Sequence, residues 1–342
     1  MKYPEPLQKG DKIAVTAFSS GVPSGCHQRL DLVLEHLRSL GFNVIEGRCL
    51  RENEKHVSAT PSMRAEELMK FLCDDSIAAV APPWGGEFAM DLLPLLDFEK
   101  LKQVKPKWVF GFSDVSTISS VLTTQLGWST LHSSNLMELN PLEKDELTAN
   151  TLNVMTAKAG AEITQFSSDL YQVSGESFET HPNCCLVKTE RTQWKAVGDV
   201  EELSFSGRLI GGCFDTMVHL IGTEYLDLER FKQCYPNDGL ILYLENAEMP
   251  PTVLKRALQG LKYQGVFEQI SGLLFGRNAV LDNCGKAITS REAFLSVAND
   301  LKVPVLYDVD IGHLPPNLAL FNGAHAEVHF KDGKGKVIQT LR

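Results

Sequence analysis

The sequence predicts an α/β protein of two units, the first built on a mainly parallel sheet with helices on both faces. Three observations predict it. Short apolar strands alternate with helical patterns, the alternation weakens once near the middle and then resumes, and 342 residues exceed what one hydrophobic core usually supports.

The elements follow in order. KIAVTAFSS, from Lys12, reads as a buried-type strand, and after it Leu30, Val33, Leu34 and Leu37 recur on one face of a helix. Gly41 stands just past that helix as a stop, and Asn43 begins the strand NVIEG. Ser62, with Glu66 and Glu67 behind it, opens a second helix ending near Cys73. The strands IAAVAPP from Ile77 and KWVFGF from Lys107 follow, and in such a sheet the loops at strand C-termini carry the chemistry. Between about Pro141 and Lys195 the pattern dissolves into polar residues, among them Ser167, Ser168, His181 and Pro182. This divides the chain into an N-terminal domain over 1–165, a junction over 166–195 and a C-terminal domain over 196–342. The second unit holds GRLIGGCFDTMVHLIG from Gly207, the strand LILYLEN from Leu240 and a helix beginning after Pro250 and Pro251. The strands ISGLLFG from Ile270 and VPVLYDVD from Val303 flank a helix near Ser290, and Asp332-Gly333 is the turn of a closing hairpin.

Composition narrows the function classes. A formal charge of −10 and a pI near 5.4 argue against a nucleic-acid polymer as partner. No apolar run reaches the roughly 20 residues of a membrane span, and MKYPEPLQKGDKIAV has neither the apolar stretch nor the cleavage site of a secretory signal, so a cytoplasmic location is expected. The eight cysteines, Cys284 among them, form no C-x-x-C pair and read as buried or idle thiols; Cys184 and Cys185, as neighbours, are poor metal ligands.

The segment WVFGFSDVSTISSVLTTQLG is the most informative. A strand runs into Gly111-Phe112-Ser113-Asp114 and then into a helix with Val115, Ile118 and Leu122 on one face. A serine there sits at a helix N-terminus, where free N–H groups and the positive dipole end stabilise an oxyanion. Ser113 or Asp114 also fits an ordinary helix N-cap, and Val115 occupies the place of the last glycine in G-x-S-x-G. A nucleophilic serine needs a base and the base an orienting carboxylate. Glu245 ends the strand LILYL before a proline-capped helix, and His313 follows VPVLYDVD in the turn Ile311–Asn317. Each also fits a plain capping or turn residue, and spacing alone does not bring them together.

LQKGDKIAVTAFSS, Gly85-Gly86 leading into LLPLLDFE, KPKWVFGFSDVSTI, GRLIGGCFDTM, LYLENAEMPPTVLKRAL and IGHLPPNLALFNGA, in this order, make the chain similar to the LD-carboxypeptidase family of serine peptidases, which includes microcin C immunity proteins. The resemblance implies Ser113 as nucleophile, His313 as general base and acid, and Glu245 as the carboxylate that holds the imidazole. It implies an oxyanion hole from the N–H groups of Asp114 and of Gly86 or its neighbour. It further implies an N-terminal Rossmann-like domain, a C-terminal domain of mixed α/β architecture, a homodimer, and neither metal nor organic cofactor.

The substrate side departs from the family. Pro82-Pro83-Trp84 precedes the paired glycines and Glu87-Phe88 follows them, His132-Ser133-Ser134-Asn135 replaces a frequent His-Gly-Pro turn, and Cys213 stands for a frequent asparagine. Trp84, Gly85, Glu87, Trp194 and Arg277 are the candidate substrate-binding residues. Trp84 and Trp194 fit either nucleobase stacking or simple packing, Arg277 with Asn278 either a substrate anion or a surface role, and His132 is the reserve base. Three functions follow: release of terminal D-alanine from murein peptides, hydrolysis of peptidyl- or aminoacyl-nucleotides, and silent binding of a small ligand. The absence of G-x-G-x-x-G and G-x-x-x-x-G-K-[ST] argues against dinucleotide and nucleoside triphosphate chemistry.

Overall fold

A computed structural model describes residues 1–342 except 199, 283 and 284, so Cys284 lies outside the described residues. The first body is a four-stranded, wholly parallel sheet in the spatial order Asn43–Glu46, Lys12–Val15, Ile77–Ala81, Trp108–Val109. Its first helix, His27–Ser39, buries Leu30, Val33, Leu34 and Leu37, and Gly41 beyond it takes φ +97°. The second, Pro61–Cys73, is capped by Thr60, whose hydroxyl accepts the Met63 N–H, so the helix starts one residue before the expected Ser62. Pro61 occupies the first turn, where its missing N–H costs nothing.

The second body is an eight-stranded mixed sheet. Its centre is parallel, with Glu202–Cys213, Leu240–Glu245, Gly272–Gly276 and Val305–Val309 side by side. Antiparallel strands extend both edges: His325–Lys331, Lys334–Thr340 and Glu162–Phe166 on one side, Lys195–Ala196 on the other. Two of these edge strands begin before the expected C-terminal domain. All of Glu162–Phe166 but its last residue falls in the expected N-terminal domain and Lys195 in the junction, yet each pairs with a strand of the second sheet. Within the junction the chain folds back so that Leu170–Tyr171 pairs antiparallel with Glu190–Arg191. Asp332 and Gly333 turn the closing hairpin at φ +49° and +78°, the positive pair that a two-residue turn needs.

Helix Val115–Leu126 joins the two bodies. The sequence suggests a single apolar stripe, but the helix is buried on nearly every side, including Ser116, Thr117, Ser119, Ser120 and Thr123. Its small hydroxyls make this possible by turning back onto the helix, as in Ser120 to the Ser116 carbonyl (2.6 Å) and Thr123 to the Ser119 carbonyl (3.1 Å). One apolar core runs from Val109 and Ile118 through Phe214 and Leu242 to Phe275, so the two sheets share a core across this helix. No helix among the described residues is long and apolar enough to cross a membrane.

Candidate active site

The parallel strands of both sheets deliver their C-terminal ends to one place. Ser113 follows Trp108–Val109, Glu245 ends Leu240–Glu245, and His313 lies just past Val305–Val309. His313 Nε2 lies 3.0 Å from Ser113 Oγ, and His313 Nδ1 lies 2.9 Å from Glu245 Oε2. Glu245 is fully buried, whereas the His313 ring keeps 30% of its surface. The three residues assigned from sequence thus form one hydrogen-bonded chain across the two bodies.

Ser113 is held at φ +64°, a left-handed conformation that a side-chain-bearing residue adopts only where its surroundings over-determine it. Three neighbours do so here. Asn135 Oδ1 accepts the Phe112 N–H at 3.0 Å, in the segment that departs from the family's His-Gly-Pro. Asp114 turns inward, its carboxylate accepting the Ser19 hydroxyl (2.6 Å), the Ala89 N–H (2.8 Å) and the Thr117 hydroxyl (2.7 Å). Ser116 Oγ accepts the Cys213 N–H at 3.0 Å and ties the turn to the second sheet. Burial pushes the Asp114 carboxyl above its ordinary pKa, against these hydrogen bonds. Asp114 is therefore no simple helix cap; its side chain fastens the Gly85–Ala89 segment to the Ser113 turn.

Glycine is required at Gly85, because a Cβ would stand 2.6 Å from the Asp114 nitrogen and 2.7 Å from Ser113 Cβ. It is required again at Gly312, where φ is +105° and a Cβ would meet the Glu245 carboxylate. The N–H groups of Asp114 and Gly86 have no acceptor among the described residues, and both residues line the cavity that holds Ser113. That cavity, of about 240 Å³, also takes in Glu87, Cys213, Asp215, Glu248 and His313.

Electrostatics couples the pair behind the serine. Burial pulls the His313 pKa down, but the charge of Glu245 and its hydrogen bond outweigh it, leaving the imidazole above its ordinary value. Glu245 is opposed by its own burial and rescued by His313, so its carboxyl lies below the ordinary value. His313 thus stabilises the fold fully below its unfolded pKa of about 6.5, a contribution lost as pH rises through the higher folded value. Glu245 stabilises it above about 4.3, a contribution lost as pH falls through its lower folded value. A base must be neutral, so kcat/KM is expected to rise with a midpoint above pH 6.5. In Glu245→Gln the midpoint should move down and kcat fall by about 10⁴, as when a triad carboxylate is neutralised. A pH–rate profile of both proteins checks this, and an unmoved midpoint would detach Glu245 from the imidazole.

Other expected site residues fall elsewhere. Trp194 is buried, with Nε1 donating to Asp310 at 2.7 Å, so it offers no face to a nucleobase. Arg277 is neither a surface residue nor free to meet an anion. Its guanidinium donates to Asp310 (2.8 Å) and to the carbonyls of Leu314 (2.9 Å) and Pro316 (2.8 Å), in the segment that directly follows His313. Asn278 accepts from Asn246 at 2.6 Å. Trp84 is half-buried, with Nε1 donating to the Ser20 carbonyl, and it does not line the catalytic cavity; Glu87 does. His132 packs between Phe112 and Tyr243, and burial drives its pKa down to about 4, which makes it a neutral packing residue.

Sequence reasoning missed two groups. Asp215 accepts the N–H groups of Ala247 and Glu248 (2.9 Å each) and Met249 (3.0 Å), fixing the loop that leaves Glu245; its short distance from Gly211-Gly212 was the available signal. Glu138 closes a capping box with Asn135, and burial pushes its pKa up to about 7. With Arg29 it lines a second cavity of about 150 Å³ on another side of His313.

Models of the LD-carboxypeptidase N-terminal and C-terminal domains match residues 13–133 and 206–328. The chain belongs to the LD-carboxypeptidase family. It is 26% identical to a putative carboxypeptidase of Vibrio cholerae, covering 96% of each protein. It is 24% identical to the microcin C7 self-immunity protein of Escherichia coli, over 95% of this chain and 92% of that one. A probable murein peptide carboxypeptidase of Bacillus subtilis is 23% identical over 95% and 91%. The fold matches the wild-type microcin C7 self-immunity protein with a TM-score of 0.84 at 22% identity over 98% of each chain. That protein has also been solved with aspartyl sulfamoyl adenosine and with glutamyl sulfamoyl guanosine.

Proposed function

We propose that this LD-carboxypeptidase family member is a serine hydrolase that cleaves an amide bond in a small peptide-like substrate through Ser113, His313 and Glu245. The observation that carries this reading is the unbroken chain from Ser113 Oγ to His313 to the buried Glu245 carboxylate, mounted on a turn with φ +64°. With Nδ1–H donated to Glu245, Nε2 is left to accept the serine proton. The serine oxygen adds to the carbonyl carbon, and the Asp114 and Gly86 N–H groups receive the oxyanion. His313 returns the proton to the departing amine, leaving an acyl-serine. A water then gives its proton to the same nitrogen as it attacks, and collapse frees the acid and the serine.

Within this class the preferred reaction is release of a terminal D-alanine from a murein peptide, in keeping with the probable murein peptide carboxypeptidase among the relatives. Hydrolysis of aminoacyl-nucleotides is the second reading, favoured by the ligands solved in the microcin C7 self-immunity protein. Mass spectrometry of one mixture holding a murein tetrapeptide and aspartyl sulfamoyl adenosine separates them. D-alanine release by the wild type and not by Ser113→Ala supports the first, and cleavage of the adenosine compound alone supports the second. No product from either would leave a silent binding protein.

A further inference from the structure

Both cavities that meet at His313 have walls whose charge is unevenly distributed. The one containing Ser113 is lined by three carboxylates, Glu87, Asp215 and Glu248, and by the imidazoles of His219 and His313; no lysine or arginine among the described residues lines it. Asp114 also borders it, but its carboxylate is buried and turned onto Ser19, Ala89 and Thr117. Asp215 is committed too, since its oxygens accept three backbone N–H groups of the Ala247–Met249 loop. That commitment has an effect: it pins Glu248 by its backbone and leaves the exposed Glu248 carboxylate at the rim. Glu87 stands beside the oxyanion glycine, with His56 Nδ1 at 3.2 Å from its carboxylate.

The chemistry of the proposed hydrolysis assigns this cavity to the acyl half of the substrate. Ser113 and both oxyanion donors line it, so the carbonyl and what is attached to it belong here. The second cavity shares His313 but not Ser113, which suits the departing amine that His313 protonates. Acid side chains converging on a concave site with no lysine or arginine among its described lining residues lower the potential inside and repel a further carboxylate.

We propose that the catalytic cavity selects substrates whose acyl half carries a cationic group, an ammonium or a guanidinium, and disfavours acidic acyl groups, with Glu248 and Glu87 setting the preference. The proposal rests on the hydrolase reading for which half lies where, and deepens it by naming a substrate class. Acidic acyl groups of the kind solved in the microcin C7 self-immunity protein would add one more negative charge to this wall.

The probes are lysyl and aspartyl sulfamoyl adenosine, which differ only in the acyl side chain. Binding of each to Ser113→Ala by calorimetry is expected to favour the lysyl compound by about fivefold per exposed carboxylate, the factor of an exposed ion pair worth ~1 kcal/mol. The preference should shrink as salt is raised. Glu248→Gln should lose about fivefold of it, Glu87→Gln a similar share, and Glu248→Lys should favour the aspartyl compound. Equal binding of the two probes, or tighter binding of the aspartyl one, overturns the proposal. Turnover by the wild type keeps the two readings apart. Lysyl-selective binding with turnover of neither probe retains the selectivity and leaves the hydrolase reading to the murein tetrapeptide assay, whereas equal kcat/KM for both probes retains the hydrolase and overturns the selectivity.

Discussion

Replacing Ser113 with glycine is expected to lower turnover by about six orders of magnitude, the loss that follows removal of a triad nucleophile, and at the same time to stabilise the fold by about 1 kcal/mol. The two effects have one cause. At φ +64° the Ser113 Cβ crowds its own backbone, a strain tolerated because Asn135, Asp114 and Ser116 fix the chain on every side. Glycine relieves it and removes the hydroxyl. Alanine removes the hydroxyl and keeps the Cβ, so Ser113→Ala should lose the same turnover without the gain in stability. The pair of variants separates strain from chemistry, with turnover and the thermal midpoint as readouts. A glycine variant no more stable than the alanine one would mean that the turn holds no strain. Full turnover in either would remove Ser113 from the mechanism.

The sequence was most readable where a local rule decides the structure. Leu30, Val33, Leu34 and Leu37 recur at helical spacing and are buried together, and Asp332-Gly333 has the backbone freedom its hairpin uses. The same local reading fails where pairing is remote. Glu162–Phe166 has a half-polar pattern and looks like the tail of the first domain, but its partner is Lys334–Thr340 near the far end of the chain. Trp194 sits among polar residues that leave stacking and packing both open, and only the pairing of Lys195–Ala196 with Val305–Val309, which draws it to Asp310, decides for packing. The triad shows both limits. Each member could be placed at a strand C-terminus, but 200 residues separate Ser113 from His313 and 68 separate Glu245 from it, so only long motifs in order pointed to their meeting. Hydrogen bonds to backbone, such as those of Arg277 and Asp215, leave no pattern in side-chain chemistry, and those residues read as ligand-binding charge or went unnoticed.

Arg277→Met is expected to destabilise the protein by about 3–5 kcal/mol, because it leaves the Asp310 carboxylate buried without its cation. Asp310 is fully buried and retains Trp194 and Ser168 as donors, but these are neutral and cannot replace the guanidinium charge. The loss should extend to catalysis. Arg277 holds the carbonyls of Leu314 and Pro316, in the segment that directly follows His313, so its removal frees the imidazole to drift from Ser113. A displacement of about 1 Å at a reacting group costs on the order of 10²-fold. The drop should fall in kcat with KM little changed, since Arg277 does not line the catalytic cavity; a residue that bound a substrate anion would raise KM instead. Arg277→Lys sharpens the distinction. It keeps the charge for Asp310, so it should recover much of the stability, but an ammonium cannot reproduce the planar fork that reaches Asp310 and both carbonyls together, and kcat should stay low. Denaturant unfolding and steady-state kinetics on the two variants test this. A lysine variant with wild-type kcat would show that charge alone, and not the grip on the His313 loop, is what Arg277 contributes.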